Sequence, residues 1–121
     1  VLSAYAVTFR VMHGYASATA INEVADETAG LEEPLLVLYA GDWDPSGLHM
    51  SEIDLPYRLD EYGANVELRR IALDRRDVTL GGLPSFLAET KRQDPRWLWF
   101  TRRYSQQCWE LDALSPVVLR E

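Results

Sequence analysis

Leu35–Met50 reads LLVLYAGDWDPSGLHM, and the fold class follows from how this stretch is parsed. Leu35 to Ala40 form an unbroken apolar or near-apolar run between Pro34 and Gly41. A short run bounded in this way predicts a strand buried on both faces, as in a parallel sheet. The loop leaving such a strand at its carboxyl end is where open α/β sheets carry ligand chemistry. Here that loop holds Asp42 and Asp44, with one residue between them. Two carboxylates held this close repel unless a cation or a proton lies between them. Hard oxygen ligands suit Mg²⁺, or Mn²⁺ in its place, and Asp42 and Asp44 are the candidate metal ligands. The competing reading is a plain turn, because Asp, Pro, Ser and Gly are all turn formers. A calcium EF-hand is excluded: its twelfth position falls on Ile53, where a bidentate Glu is required.

Upstream, Ala6–Met12 (AVTFRVM) predicts a strand, and His13-Gly14-Tyr15 a turn. Ser17 caps a helix over about 18–29, with Ile21, Val24, Ala25 and Thr28 as its buried stripe and Gly30 as its stop. Strand–helix–strand implies a right-handed crossover and parallel pairing. Downstream, Ser46 or Ser51 is expected to cap a helix running to about Tyr62, with Leu55, Leu59 and Tyr62 on its apolar face. Pro56 kinks this helix or begins its second half. Asn65–Leu73 predicts a third strand, with Val66, Leu68 and Ile71 toward the core. Asp74–Asp94 reads as irregular apart from a helical turn near 75–78. Pro95 opens a helix to about Tyr104 with Trp97, Phe100 and Tyr104 on one side, and Gln107–Leu111 ends as a short strand. The expected fold is α/β: a mainly parallel central sheet with helices on both faces.

The 121 residues are enough for one domain, 47% hydrophobic and 26% charged. No apolar run is long enough to cross a bilayer, and no secretory signal is evident, so no membrane partner is expected. The single cysteine, Cys108, excludes an internal disulfide and a Cys-rich zinc site, and a reducing cytoplasm is the expected compartment. Net charge is −7, unevenly spread. Residues 1–68 carry −10, residues 69–103 carry +5 with nine basic side chains, and residues 104–121 carry −2. An acidic pair beside a basic stretch suits a metal-dependent enzyme acting on phosphodiesters. A surface with fortuitously segregated charge fits equally well. The opening at Val1 and the close just after Ser115-Pro116, a helix-start signal, give the expectation of a domain excised from a longer chain.

Taken in order, these motifs resemble the Toprim (topoisomerase–primase) domain, in the branch shared by the A subunit of topoisomerase VI and the meiotic double-strand-break transesterase. The resemblance rests on the Gly14-Tyr15 turn, Asp42-Trp43-Asp44-Pro45-Ser46-Gly47, Ile71-Ala72-Leu73, Leu83-Pro84, and Glu110-Leu111-Asp112-Ala113-Leu114. Uncharacterised bacterial and phage proteins with Gly-Asp-x-Asp-Pro-Ser-Gly, Lys-x-x-Asp-x-Arg (Lys91, Asp94, Arg96) and Trp-Glu-Leu-Asp-Ala-Leu are similar. The resemblance implies a Rossmann-like fold in which Asp42 and Asp44 are catalytic and hold Mg²⁺ or Mn²⁺. It implies action on nucleic acid, DNA ahead of RNA, by cleavage or by breakage and rejoining. Lys91 and Arg96 are candidate phosphate contacts. Ser46 and Gly14 are candidates to support the ligands, and Glu110 to join the acidic site.

Two family features have no counterpart in the sequence. No Glu precedes the Gly-Tyr turn, and no tyrosine matches the nucleophile that the transesterases carry on a separate domain. The first strand and helix of the fold are expected upstream of Val1, so upstream and downstream domains of a parent chain are expected partners. This chain alone is then expected to be inactive. The alternatives are a degenerate, non-catalytic Toprim module for nucleic-acid or partner binding, and a metal-dependent enzyme acting on small nucleotides.

Overall fold

The computed structural model describes residues 15–113. The expected strand Ala6–Met12, the residue Gly14 and the helix start at Ser115-Pro116 lie outside them.

Helix α1 spans Ala18–Thr28. Ser17 caps it, its Oγ accepting from the Ala20 N–H at 3.1 Å, and Gly30 takes the positive φ of +83° that lets the chain leave the helix. Ile21, Ala25 and Thr28 are its buried stripe, as the spacing predicts. Strand β1, Leu35–Ala40, pairs in parallel with β2, Val66–Ala72, with Leu35 opposite Val66 and Tyr39 opposite Arg70. A continuous helical rod joins them: α2 (Pro45–His49), a π turn (Met50–Asp54) and α3 (Leu55–Glu61).

The π turn has a local cause. Pro56 has no N–H to give the Glu52 carbonyl, and the helix adjusts one residue earlier, where the Leu55 N–H reaches back to the Met50 carbonyl. Pro56 thus stands in the first turn of α3 and begins the second half of the rod, one of the two expected outcomes. Leu55 and Leu59 are buried as expected, but Tyr62 is exposed because α3 stops at Glu61.

One apolar cluster joins Ile21 of α1, Tyr39 of β1, and Met50, Leu55 and Leu59 of the rod. All the helices in this cluster lie on one face of the β1–β2 pair. On the opposite face, Leu36, Leu38 and Ile71 are 47, 51 and 45% exposed. The expectations of burial on both faces of β1 and of an inward Ile71 are therefore not met. The sheet is also smaller than expected: among the described residues only two strands pair in parallel.

The second cluster is built from the chain after β2. Helix α4, Arg75–Leu80, is closed by a reciprocal capping box between Asp74 and Asp77. Strand β3, Phe86–Leu87, which the sequence reading missed, pairs antiparallel with β4, Gln107–Cys108. Helix α5, Trp97–Arg103, delivers the fully buried Phe100. Trp43, Leu48, Leu73, Ala88, Phe100, Cys108 and Trp109 form this core. Trp43 and Leu48 belong to the acidic loop and the helix after it, so the loop is pinned between the two halves of the domain. No helix among the described residues is long and apolar enough to cross a membrane.

Candidate metal centre

The parallel ladder continues past β1: the Gly41 N–H donates to the Ala72 carbonyl at 2.7 Å, and the Leu73 N–H to the Gly41 carbonyl at 2.8 Å. The chain then stays extended and forms an antiparallel bridge from Trp43 to Trp109, with N···O distances of 2.9 and 3.0 Å. In extended backbone alternate residues share a face. Asp42 and Asp44 therefore project to one side, while the Trp43 indole enters the core at 4% exposure.

Asp44 is itself the cap of α2, with extended backbone (φ −154°, ψ 174°) and Pro45 in the first turn. Its Oδ1 accepts from the Gly47 N–H at 2.7 Å and from Ser46 Oγ at 3.4 Å. This corrects the expectation that Ser46 or Ser51 caps the helix: a carboxylate at the first break from extended backbone reaches the free N–H groups before either serine can. Asp44 is buried, and its Oδ2 lies 3.6 Å from Lys91 Nζ. Asp42 is half-buried, and its Oδ1 accepts from the Leu111 N–H at 2.7 Å. The bridge register sets Glu110 opposite Asp42, but Glu110 is exposed and forms no hydrogen bond with either aspartate.

Beneath the loop lies Arg70. Its guanidinium donates to the carbonyls of Gly41 (3.1 Å), Asp42 (2.9 Å) and Leu73, and its Nε to Ser51 Oγ at 3.0 Å. It also sits 5.2 Å from the Tyr39 ring centroid. Burial lowers its pKa, partly opposed by Tyr39 and by the nearby carboxylates. Arg70 thus ties the carboxyl ends of both strands to the helical rod. The sequence reading missed it, although a signal was present: Val66 and Leu68 face inward, so alternation turns Arg70 inward too.

Arg96 does not join the acidic pair. It pairs with Asp94 at 3.2 Å and stacks over Tyr15 at 4.6 Å. The Tyr15 hydroxyl is 2.9 Å from His49 Nδ1, another contact the sequence did not disclose. The His49 pKa is lowered, first by burial and then by Arg96, with Asp54 and Asp94 opposing. Between this lowered value and the ordinary 6.5, the unfolded chain binds more protons than the folded one. Stability is therefore expected to fall as pH drops through 6.5, and to level off below the folded-state value. Urea denaturation at several pH values checks this: His49→Gln should flatten the dependence, and an unchanged slope would assign it to other groups.

The donor chemistry suits a small hard cation in one respect. Each aspartate commits Oδ1 to a backbone N–H, and neither Oδ2 has a hydrogen bond among the described residues. Mg²⁺ is commonly held by one or two carboxylates while retaining waters, and this pair fits that habit. A closed cage does not fit, because no group of three or more His, Cys, Asp or Glu side chains among the described residues is arranged around a common point. No protein-family model, curated protein or solved structure matches the chain.

Proposed function

We propose that this chain is a Toprim-like domain, built on a Rossmann-like parallel sheet, that binds Mg²⁺ or Mn²⁺ through Asp42 and Asp44. Its parent protein acts on nucleic-acid phosphodiesters, DNA ahead of RNA, by cleavage or by breakage and rejoining. One observation carries the reading. Two carboxylates leave one face of an extended segment just beyond the carboxyl end of a parallel strand pair, where α/β folds collect ligands.

Asp42 and Asp44 would hold the cation, which when bound polarises a phosphate and offsets charge developing on its oxygens. Lys91 lies beside Asp44 and supplies positive charge toward a phosphate oxygen. Arg70 keeps the loop in register. A general acid or base is left to a neighbouring domain of the parent chain, so the domain alone binds the cation but does not cleave.

A second reading, a non-catalytic module for nucleic-acid or partner contact, draws on the Lys91–Asp44 pair, which neutralises the carboxylate without any cation. Mn²⁺ titration followed by electron paramagnetic resonance separates the two. Asp44→Asn retains the helix cap, since Asn caps as well as Asp, and so removes charge without removing the fold. Asp42→Asn and Asp44→Asn are each expected to weaken Mn²⁺ binding by about tenfold or more, and Lys91→Met to tighten it by lifting a competing positive charge. Superimposable curves for wild type and both Asn variants would leave the non-catalytic module as the reading.

A further inference from the structure

A second feature lies apart from the acidic pair. An open hollow of about 430 Å³ is bordered by β2, the π turn and the loop after β2. Three arginines line it: Arg69, Arg70 and Arg75. Two carboxylates also border it, Glu52 and Asp74, and Asp74 is engaged as the α4 cap, with its Oδ1 2.8 Å from the Asp77 N–H.

The three arginines are not equivalent. Arg70 spends its donors on three carbonyls and Ser51. Arg69 is paired with Glu67 at 2.6 Å. Arg75 has no ion pair among the described residues; its guanidinium carbon lies 5.7 Å from the Trp43 ring centroid. Trp43 also lines the hollow, and its buried Nε1 has no hydrogen-bond partner among the described residues. A guanidinium steadied on an aromatic face and left with open donors is suited to a tetrahedral oxyanion, which it can grip through paired N–H bonds.

We propose that this hollow binds a phosphate-type oxyanion, gripped by Arg75, with Arg70 as supporting charge. The site is distinct from the Lys91 contact and stands whether or not a cation binds at Asp42 and Asp44. The oxyanion is either a backbone phosphate of single-stranded nucleic acid or a free phosphate group.

The full chain, ¹⁵N-labelled and kept in EDTA so that cation binding plays no part, is titrated with inorganic phosphate and with a short single-stranded DNA oligonucleotide. The tryptophan indole N–H resonances report binding, with Trp43→Phe used to assign that of Trp43. The Trp43 resonance should shift with at least one probe. Arg75→Gln should weaken that binding by about tenfold or more. Arg76→Gln removes the same charge one residue away, outside the hollow's lining, and should change it by less than about twofold. Tighter binding of the oligonucleotide, with a salt slope that falls by about one in Arg75→Gln, identifies the ligand as a nucleic-acid backbone. Equal affinity for the two probes identifies a free phosphate group. Equal losses in Arg75→Gln and Arg76→Gln, or no response of the Trp43 indole to either probe, would overturn the proposal. Asp44→Asn should leave these titrations unchanged, so failure of the cation reading and failure of this one are separable.

Discussion

Arg70→Met is expected to destabilise the domain by about 3–5 kcal/mol, read as a lower urea midpoint. The substitution keeps an apolar stem of similar length but strips the donors from three carbonyls, those of Gly41, Asp42 and Leu73, and from Ser51. The Gly41 carbonyl keeps the Leu73 N–H, but the Asp42 and Leu73 carbonyls are left without a hydrogen-bond partner among the described residues, at roughly 1–3 kcal/mol each. Against a typical domain stability of about 5–15 kcal/mol this is a large share. Arg70→Lys should recover only part of the loss, because one ammonium cannot span acceptors on two strand ends and a helical turn. A cost below about 1 kcal/mol for Arg70→Met would mean that water replaces the guanidinium and that the clamp is not what holds the loop.

Gly47→Ala sets two rules against each other. Within a helix, alanine is favoured over glycine by about 1 kcal/mol, so local propensity predicts a gain. The tertiary contacts predict the reverse. A Cβ at position 47 would lie 2.4 Å from the Asp42 carbonyl oxygen and 2.9 Å from Asp44 Oδ1. The Asp42 carbonyl cannot yield easily, because Arg70 holds it at 2.9 Å. Asp44 cannot yield without losing its 2.7 Å bond to the Gly47 N–H. Overpacking of this kind costs about 1–3 kcal/mol, which outweighs the propensity gain at the upper end of that range. The expected result is a lower thermal midpoint together with weaker Mn²⁺ binding, since both candidate ligands are displaced. A higher midpoint would show that the loop relaxes freely, and the pinned geometry described here would be wrong.

The elements with strong local signals were legible in the sequence. Ser17, the Ile21/Val24/Ala25/Thr28 stripe and Gly30 specify α1 because cap, period and stop all act within a few residues. Leu35–Ala40 was bounded correctly because Pro34 and Gly41 punctuate it. The acidic loop was found for the same reason, and its lysine neighbour was among the candidates. Other features depend on partners far along the chain. Asp44 rather than a serine caps α2 because the Trp43–Trp109 bridge holds the preceding backbone extended, and that bridge spans 66 residues. Arg96 turns to Asp94 and Tyr15 instead of the acidic pair because the turn before α5 aims it there.

Sequence by itself therefore determined the mixed α/β class, the order of the main elements and the position of the two carboxylates, since hydrophobic period and turn chemistry are local properties. Only the tertiary structure decided which face of β1 is covered, which group neutralises Asp44, and that Arg70 serves as a clamp. Those outcomes depend on what a side chain meets across the fold, and burial and charge pairing between distant residues leave no mark in the spacing of any one segment.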